Sequence, residues 1–221
     1  TTVLALLLLT TNTFAQSNQS SSSSSQYMQN MGKLLSNFGQ AKSINDFNKL
    51  ANNFNRIAKA EPSKWLPLYY ATQCKILMSF ISKDSDKKDA YLDEVASNFD
   101  VMLTIDDKNS EISALKSLFY SARLVVNPMV RGQEYMALSN KECEKALKLN
   151  PNNNRAKYML IKNFMGFAQF FGSDTSAQCA QAKDLLSNWD AHESSLDLMP
   201  HWGKNGLTNV VQSCEDESSS K

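Results

Sequence analysis

Two histidines in the last thirty residues of the chain are the side chains whose chemistry is simplest to picture. His192 and His201 flank a segment that starts with Glu193, and Asp190 precedes the first of them. Imidazole and carboxylate groups hold zinc when three or four of them converge. The chain has neither a His-x3-His pair nor a His-Glu-x2-His sequence. We therefore expect a solvated loop, and we predict no catalytic residue, no metal ligand and no cofactor.

The four cysteines are the second set of reactive side chains. They have no Cys-x2-Cys spacing, so neither a zinc ribbon nor a thioredoxin-type redox motif is indicated. Cys179 and Cys214 lie on the last two predicted helices, and their midpoint falls in the intervening loop. An antiparallel hairpin would bring them level, which makes this pair the disulfide candidate in an oxidising compartment. Cys74 and Cys143 are expected to be buried small hydrophobes.

Four phenylalanines between residues 164 and 171 form an aromatic cluster, most of it at helical spacing: Phe164, Phe167, Phe170 and Phe171. Such a stripe can line a ligand groove or pack in a core. Core packing is the favoured interpretation, because stacked helical hairpins bury stripes of this kind. No Gly-rich phosphate loop or Gly-x-Ser-x-Gly elbow is present, so nucleotide binding and the serine chemistry of that elbow lack their usual signatures.

The elements that must position these side chains are predicted to be helices. The chain has 7 glycines and 5 prolines and no sustained alternation of apolar and polar residues, which argues against a sheet. Asn127-Pro128 and Asn150-Pro151 mark breaks, because a residue before proline is pushed out of the α region. Apolar spacing and capping residues predict an all-α protein of nine helices, at residues 26–38, 43–62, 64–82, 86–105, 110–126, 128–149, 152–171, 177–191 and 201–215.

The amino-terminal segment resembles a secretory signal. Val3 to Leu9 carry no polar side chain, and Thr13 and Ala15 are the small residues that a signal peptidase needs. We expect cleavage after Ala15 and a protein that is periplasmic or secreted, without another membrane-length apolar stretch. Composition then predicts four regions: a signal peptide at 1–15, a Ser-rich flexible linker at 16–25, a helical domain at 26–215 and a disordered tail at 216–221.

The net charge narrows the range of partners. The chain has 23 basic and 22 acidic residues, so it has no overall field to attract nucleic acid or an anionic membrane surface. We predict no nucleic-acid partner.

An internal repeat organises the helical domain. Phe54, Ile57 and Ala58 align with Phe99, Met102 and Leu103, and these align with Cys143, Ala146 and Leu147, at intervals of 45 and 44 residues. After each break another helix follows, with Tyr69, Ala114 and Tyr158 in register. The repeating unit is therefore a helical hairpin, which must stack on its neighbours to bury its apolar face.

The segment Ala146-Leu147-Lys148-Leu149-Asn150-Pro151 resembles the end of a tetratricopeptide repeat, and Leu160 and Phe164 match the helix that follows. The chain departs from that superfamily at Ile161, where a small glycine is typical, and in its unit of 44 or 45 residues rather than about 34. The resemblance implies a divergent member of the superfamily. A HEAT-like or irregular helical array would show similar spacing.

The resemblance also implies a function. Stacked hairpins curve and present a concave surface, so we predict a non-enzymatic scaffold that binds a protein or peptide in an extracytoplasmic compartment. Its candidate contact residues are Asn52, Asn55, Tyr69 and Tyr158. One alternative is a structural component of a periplasmic or cell-surface assembly, and another is an enzyme that uses the loop from His192 to His201.

Overall fold

The computed structural model describes the backbone of residues 12–219 and the side chains of residues 25–216. This part of the chain is all-α, as predicted, and contains no strand. Its ten helices are α1 (Asn12–Gln40), α2 (Ile44–Ala60), α3 (Trp65–Ile81), α4 (Ser85–Asp93), α5 (Asn98–Ile105), α6 (Ser110–Leu124), α7 (Pro128–Leu149), α8 (Asn154–Phe171), α9 (Ser176–Ser187) and α10 (Lys204–Ser219). A 3-10 turn at Trp189–His192 follows α9.

The structure has one helix more than the sequence predicts, because the helix expected at 86–105 is interrupted. The amides of Val95, Ala96 and Asn98 donate to carbonyls three residues earlier, which tightens the backbone and ends the α-helical ladder. The Asn98 side chain donates to Thr72 Oγ1 of α3 at 2.9 Å. The break therefore separates α4 from α5, while Leu92 and Phe99 on its two sides both reach the core.

The first helix differs from expectation at its amino-terminal end. It begins at Asn12 and runs through residues 16–25, where the composition predicts a flexible linker. Extending an existing helix costs far less than nucleating one, so the amphipathic turns after residue 25 account for the extension. The predicted tail is likewise helical as far as Ser219. Residues 1–11, which hold most of the predicted signal peptide, lie outside the described residues.

The helices stack as hairpins in two layers. Helices α3, α6 and α8 lie side by side, and the helix before each of them packs against it. Two of the repeat positions are buried in every copy: Phe54, Phe99 and Cys143 in the first helix of the hairpin, and Tyr69, Ala114 and Tyr158 in the second. The apolar register read from the sequence is thus the core of the stack. No helix among the described residues has an apolar stretch long enough to span a bilayer.

Local signals fix the ends of the helices. Ser43 and Asp46 form a reciprocal capping box at the start of α2, as the sequence predicts. At the start of α8, the Asn153 side chain accepts from the Ala156 amide. Gly172 ends α8 with a left-handed φ of 70°, a conformation that favours glycine. These caps set the length of α8, the helix that carries most of the site described next.

Candidate functional site

A groove of about 740 Å³ lies between α7, α8, α9 and the 3-10 turn. This volume is within the range of sites that take small molecules and cofactors. The lining residues are Met136 and Asn140 of α7, Lys157, Leu160, Ile161, Phe164 and Phe167 of α8, Gln178, Gln181, Asp184 and Leu185 of α9, Asn188, and His192 of the 3-10 turn.

The lining of α8 is one face of that helix. From Lys157 to Phe167 it extends about 15 Å along the axis at 1.5 Å per residue. The α8 wall of the groove is polar at one end, at Lys157, and aromatic at the other, at Phe167, while α7 and α9 add the polar side chains of Asn140, Gln178, Gln181 and Asp184. The site can therefore accept an elongated or flat ligand that is polar at one edge and apolar at the other.

The aromatic cluster does not form a core, so the favoured interpretation of the sequence is wrong here. Phe164 and Phe167 line the groove, with ring centroids 6.3 Å apart. Phe170 and Phe171 are 62% and 66% exposed. The physical reason is that, among the described residues, no hairpin packs over this end of α8. One feature of the sequence favours a groove here. The run from Phe164 to Phe171 has no charged residue, which would be unusual on a helix that faces only solvent.

The two histidines have different surroundings. His192 is exposed at the rim of the groove. Its neighbour Glu193 points away into a polar network, where it accepts from His201 Nδ1 at 3.0 Å, Arg155 Nη1 at 2.9 Å and Asn154 Nδ2 at 3.1 Å. The loop expected to be solvated is thus anchored at Glu193. Within residues 25–216, no group of three or more His, Cys, Asp or Glu side chains is placed to hold a metal ion.

Arg155 is the centre of this network and is 4% exposed. It also binds the buried carboxylate of Glu111, with Nη2 2.9 Å from Oε1. Burial by itself lowers the pKa of the Arg155 guanidinium, but hydrogen bonds and charge from Glu111 outweigh it and raise the pKa above its ordinary value. The network joins α6, α8 and the segment after the 3-10 turn, and so fixes the polar end of the groove.

Sequence reasoning missed this ion pair, although the repeat carried a signal for it. Glu111 and Arg155 are 44 residues apart, which is the repeat interval. Equivalent positions on α6 and α8 are neighbours in a stack of hairpins. Opposite charges at equivalent positions of neighbouring repeats, where the chain is otherwise buried, could therefore have predicted the ion pair from the sequence.

The residues predicted to contact a partner lie elsewhere. Tyr69 is fully buried, and its hydroxyl accepts from Trp202 Nε1 at 2.7 Å. Tyr158 is 8% exposed and packs against α10 beside Gly206. Neither ring presents a surface to a partner, because Tyr69 contacts Trp202 and Tyr158 packs against α10. Asn52 is exposed and Asn55 is half-buried, both on α2 and away from the groove.

The cysteine pair lies behind the groove. Cys179 of α9 and Cys214 of α10 form a disulfide with Cα atoms 5.8 Å apart. Cys74 and Cys143 are free and buried, and burial raises the pKa of the Cys143 thiol to about 12. Buried, protonated thiols are poor nucleophiles. The disulfide instead braces α9, which forms one wall of the groove.

An all-α stack of hairpins with a groove of ligand size, lined by both apolar and polar side chains, is the architecture of a binding protein. Comparison with solved structures supports this class. The chain is similar to the HusA haemophore from Porphyromonas gingivalis, with 29% sequence identity and a TM-score of 0.76, covering 86% of this chain and 94% of that one. No protein-family model matches the chain, and no curated protein matches it.

The similarity also bears on the predictions made from the sequence. A haemophore is a binding protein rather than an enzyme, which agrees with the predicted non-enzymatic role. The shared helical architecture agrees with stacked hairpins in general and does not assign the chain to the tetratricopeptide superfamily.

Proposed function

We propose that this protein is an extracytoplasmic binding protein for a porphyrin such as haem, and that the ligand occupies the groove between α7, α8 and α9. The observation that carries the proposal is a groove with aromatic and aliphatic side chains along α8, on a scaffold similar to a haemophore. A small flat ligand replaces the protein or peptide that the sequence predicts. The volume of the groove is in the range of small-molecule sites, and the tyrosines expected to contact a peptide are buried.

The grading of the groove supports one orientation of the ligand. The macrocycle would pack on Leu160, Ile161 and Phe164, where apolar contact and ring stacking favour a flat aromatic surface. Its carboxylate substituents would lie at the other end, near the Lys157 ammonium group. This orientation keeps the charged groups at the solvated rim.

Most of the affinity is expected to come from the macrocycle rather than from iron. His192 and Met136 are lining residues of the types that ligate haem iron. His192 is exposed at the rim, where water competes for the metal. We therefore expect metal-free protoporphyrin to bind with an affinity close to that of haemin.

Titration of the purified protein with haemin and with metal-free protoporphyrin tests the proposal through absorbance and quenching of tryptophan fluorescence. We expect saturable binding of both. Phe164→Ala should weaken both about tenfold, since losing one stacked, buried ring is worth about 1.4 kcal/mol. His192→Ala should have a smaller effect than Phe164→Ala.

Asn52→Ala is the matched control, because Asn52 is exposed on α2 and lies outside the groove. Its affinity should equal that of the unmodified protein. Absence of saturable binding to either porphyrin would refute the proposed function. Equal affinity of the Phe164→Ala and Asn52→Ala variants would show that the ligand binds elsewhere on the protein.

The extracytoplasmic location is part of the proposal and has its own test. The disulfide between Cys179 and Cys214 supports it, because such bonds persist in oxidising compartments. Amino-terminal sequencing of the protein recovered from an envelope or culture fraction should begin at Gln16. Recovery of the uncleaved chain with reduced cysteines would contradict it.

A further inference from the structure

The exposed end of α8 carries three phenylalanines, of which only Phe167 lines the groove. We call Phe167, Phe170 and Phe171 the aromatic strip. Their exposed fractions are 37%, 62% and 66%, so exposure increases towards the end of the helix. Exposed rings cost free energy in water, and a group of them on one surface usually marks a place of contact.

The surroundings of the aromatic strip are also apolar. Residues 164–171 hold no charged side chain. Helices α7 and α8 form a hairpin with a short connection, which places the start of α7 beside the end of α8. There Met129 and Val130 are each 78% exposed. Exposed apolar side chains therefore lie at this end of both helices, next to Arg131 of α7, whereas the other end of the groove holds Lys157 and His192.

Ring contacts connect the aromatic strip to the groove. Phe167 lines the groove and packs on Phe171, with centroids 4.6 Å apart. Phe171 in turn packs on Phe170 at 5.2 Å. An aromatic surface thus runs without interruption from the interior of the groove to the solvent. A flat apolar ligand can move along it while keeping one face out of water.

We propose that the aromatic strip is the loading platform of the groove. A planar porphyrin first stacks on Phe170 and Phe171 and then moves past Phe167 to its bound position in the groove. This inference rests on the proposed function. Phe170 and Phe171 do not line the groove, so they contact the ligand in transit and not when it is seated. Removing them should slow loading and release by the same factor and leave the equilibrium affinity unchanged.

The experiment compares the intact protein with the double variant Phe170→Ser, Phe171→Ser. Stopped-flow fluorescence with metal-free protoporphyrin measures the association and dissociation rate constants, and an equilibrium titration measures Kd. We expect both rate constants to fall about fivefold to tenfold, the size of effect that aromatic stacking gives, with Kd constant within about twofold. Val101→Ser is the matched control, because Val101 is an exposed apolar residue of α5 and should leave both rates unchanged.

Each of the other possible outcomes would show which of the two proposals is wrong. Unchanged rate constants with normal equilibrium binding would overturn the loading platform and leave the proposed function intact. A higher Kd with an unchanged association rate would make the aromatic strip part of the seated site and overturn the transit role. Sedimentation of both proteins completes the test, since a dimer lost in the variant would assign the strip to a second copy of the chain. Failure of the intact protein to bind protoporphyrin would overturn both proposals.

Discussion

Replacing Arg155 with methionine tests whether the buried ion-pair network holds the polar end of the groove. Arg155 and Glu111 are 4% and 6% exposed, and the guanidinium also binds Glu193 at 2.9 Å. The substitution keeps much of the side-chain volume but leaves the Glu111 carboxylate buried without its cation. Breaking a buried pair in this way costs about 3–5 kcal/mol.

The effect is measurable by urea and thermal unfolding followed by circular dichroism. At about 2–4 °C per kcal/mol for a domain of this size, Arg155→Met should lower Tm by roughly 10 °C. Lys204→Met is the control, because the Lys204–Asp190 pair is also anchored near the 3-10 turn but its side chains are 41% and 82% exposed. Exposed pairs contribute at most about 1 kcal/mol.

A second variant separates the lost charge from lost packing. Adding Glu111→Leu to Arg155→Met removes the stranded carboxylate and should recover part of the lost stability, since an apolar replacement of a buried pair is often tolerated. If Arg155→Met and Lys204→Met reduce stability equally, or if the double variant is less stable than the single one, the network does not brace the fold in the way described.

Two further predictions concern the packing of α10. Replacing both Cys179 and Cys214 with serine should lower the free energy of unfolding by about 2–4 kcal/mol, because the bond closes a loop with a sequence separation of 35; equal stability of the variant and the intact protein in urea would contradict this. Gly206→Ala should destabilise the fold by about 1–3 kcal/mol, because the added Cβ would lie 2.2 Å from the Tyr158 hydroxyl oxygen. Gly132→Ala meets open space in α7 and should instead stabilise it by up to about 1 kcal/mol, so a shared sign for the two glycine variants would refute the packing argument.

The sequence by itself determined the structural features that depend on residues close together in the chain. The capping box at Ser43, the break at Asn127-Pro128 and the apolar spacing of each hairpin are short-range properties, and the structure has all three. The repeat interval also determined which side chains form the core. Helix propensity, capping and burial of one face act within a few turns, so a single sequence is sufficient to reveal them.

Only the tertiary structure decided which surfaces remain open. The stripe of phenylalanines on α8 has the spacing of a core, but no hairpin in the described part of the chain covers its last turn, so part of it lines the groove and part is exposed. Tyr69 and Tyr158 have the chemistry of contact residues, but Trp202 contacts Tyr69, α10 packs against Tyr158, and both rings are buried. Exposure depends on which distant segments of the chain pack on a surface. The spacing of residues within one helix does not show which segments those are.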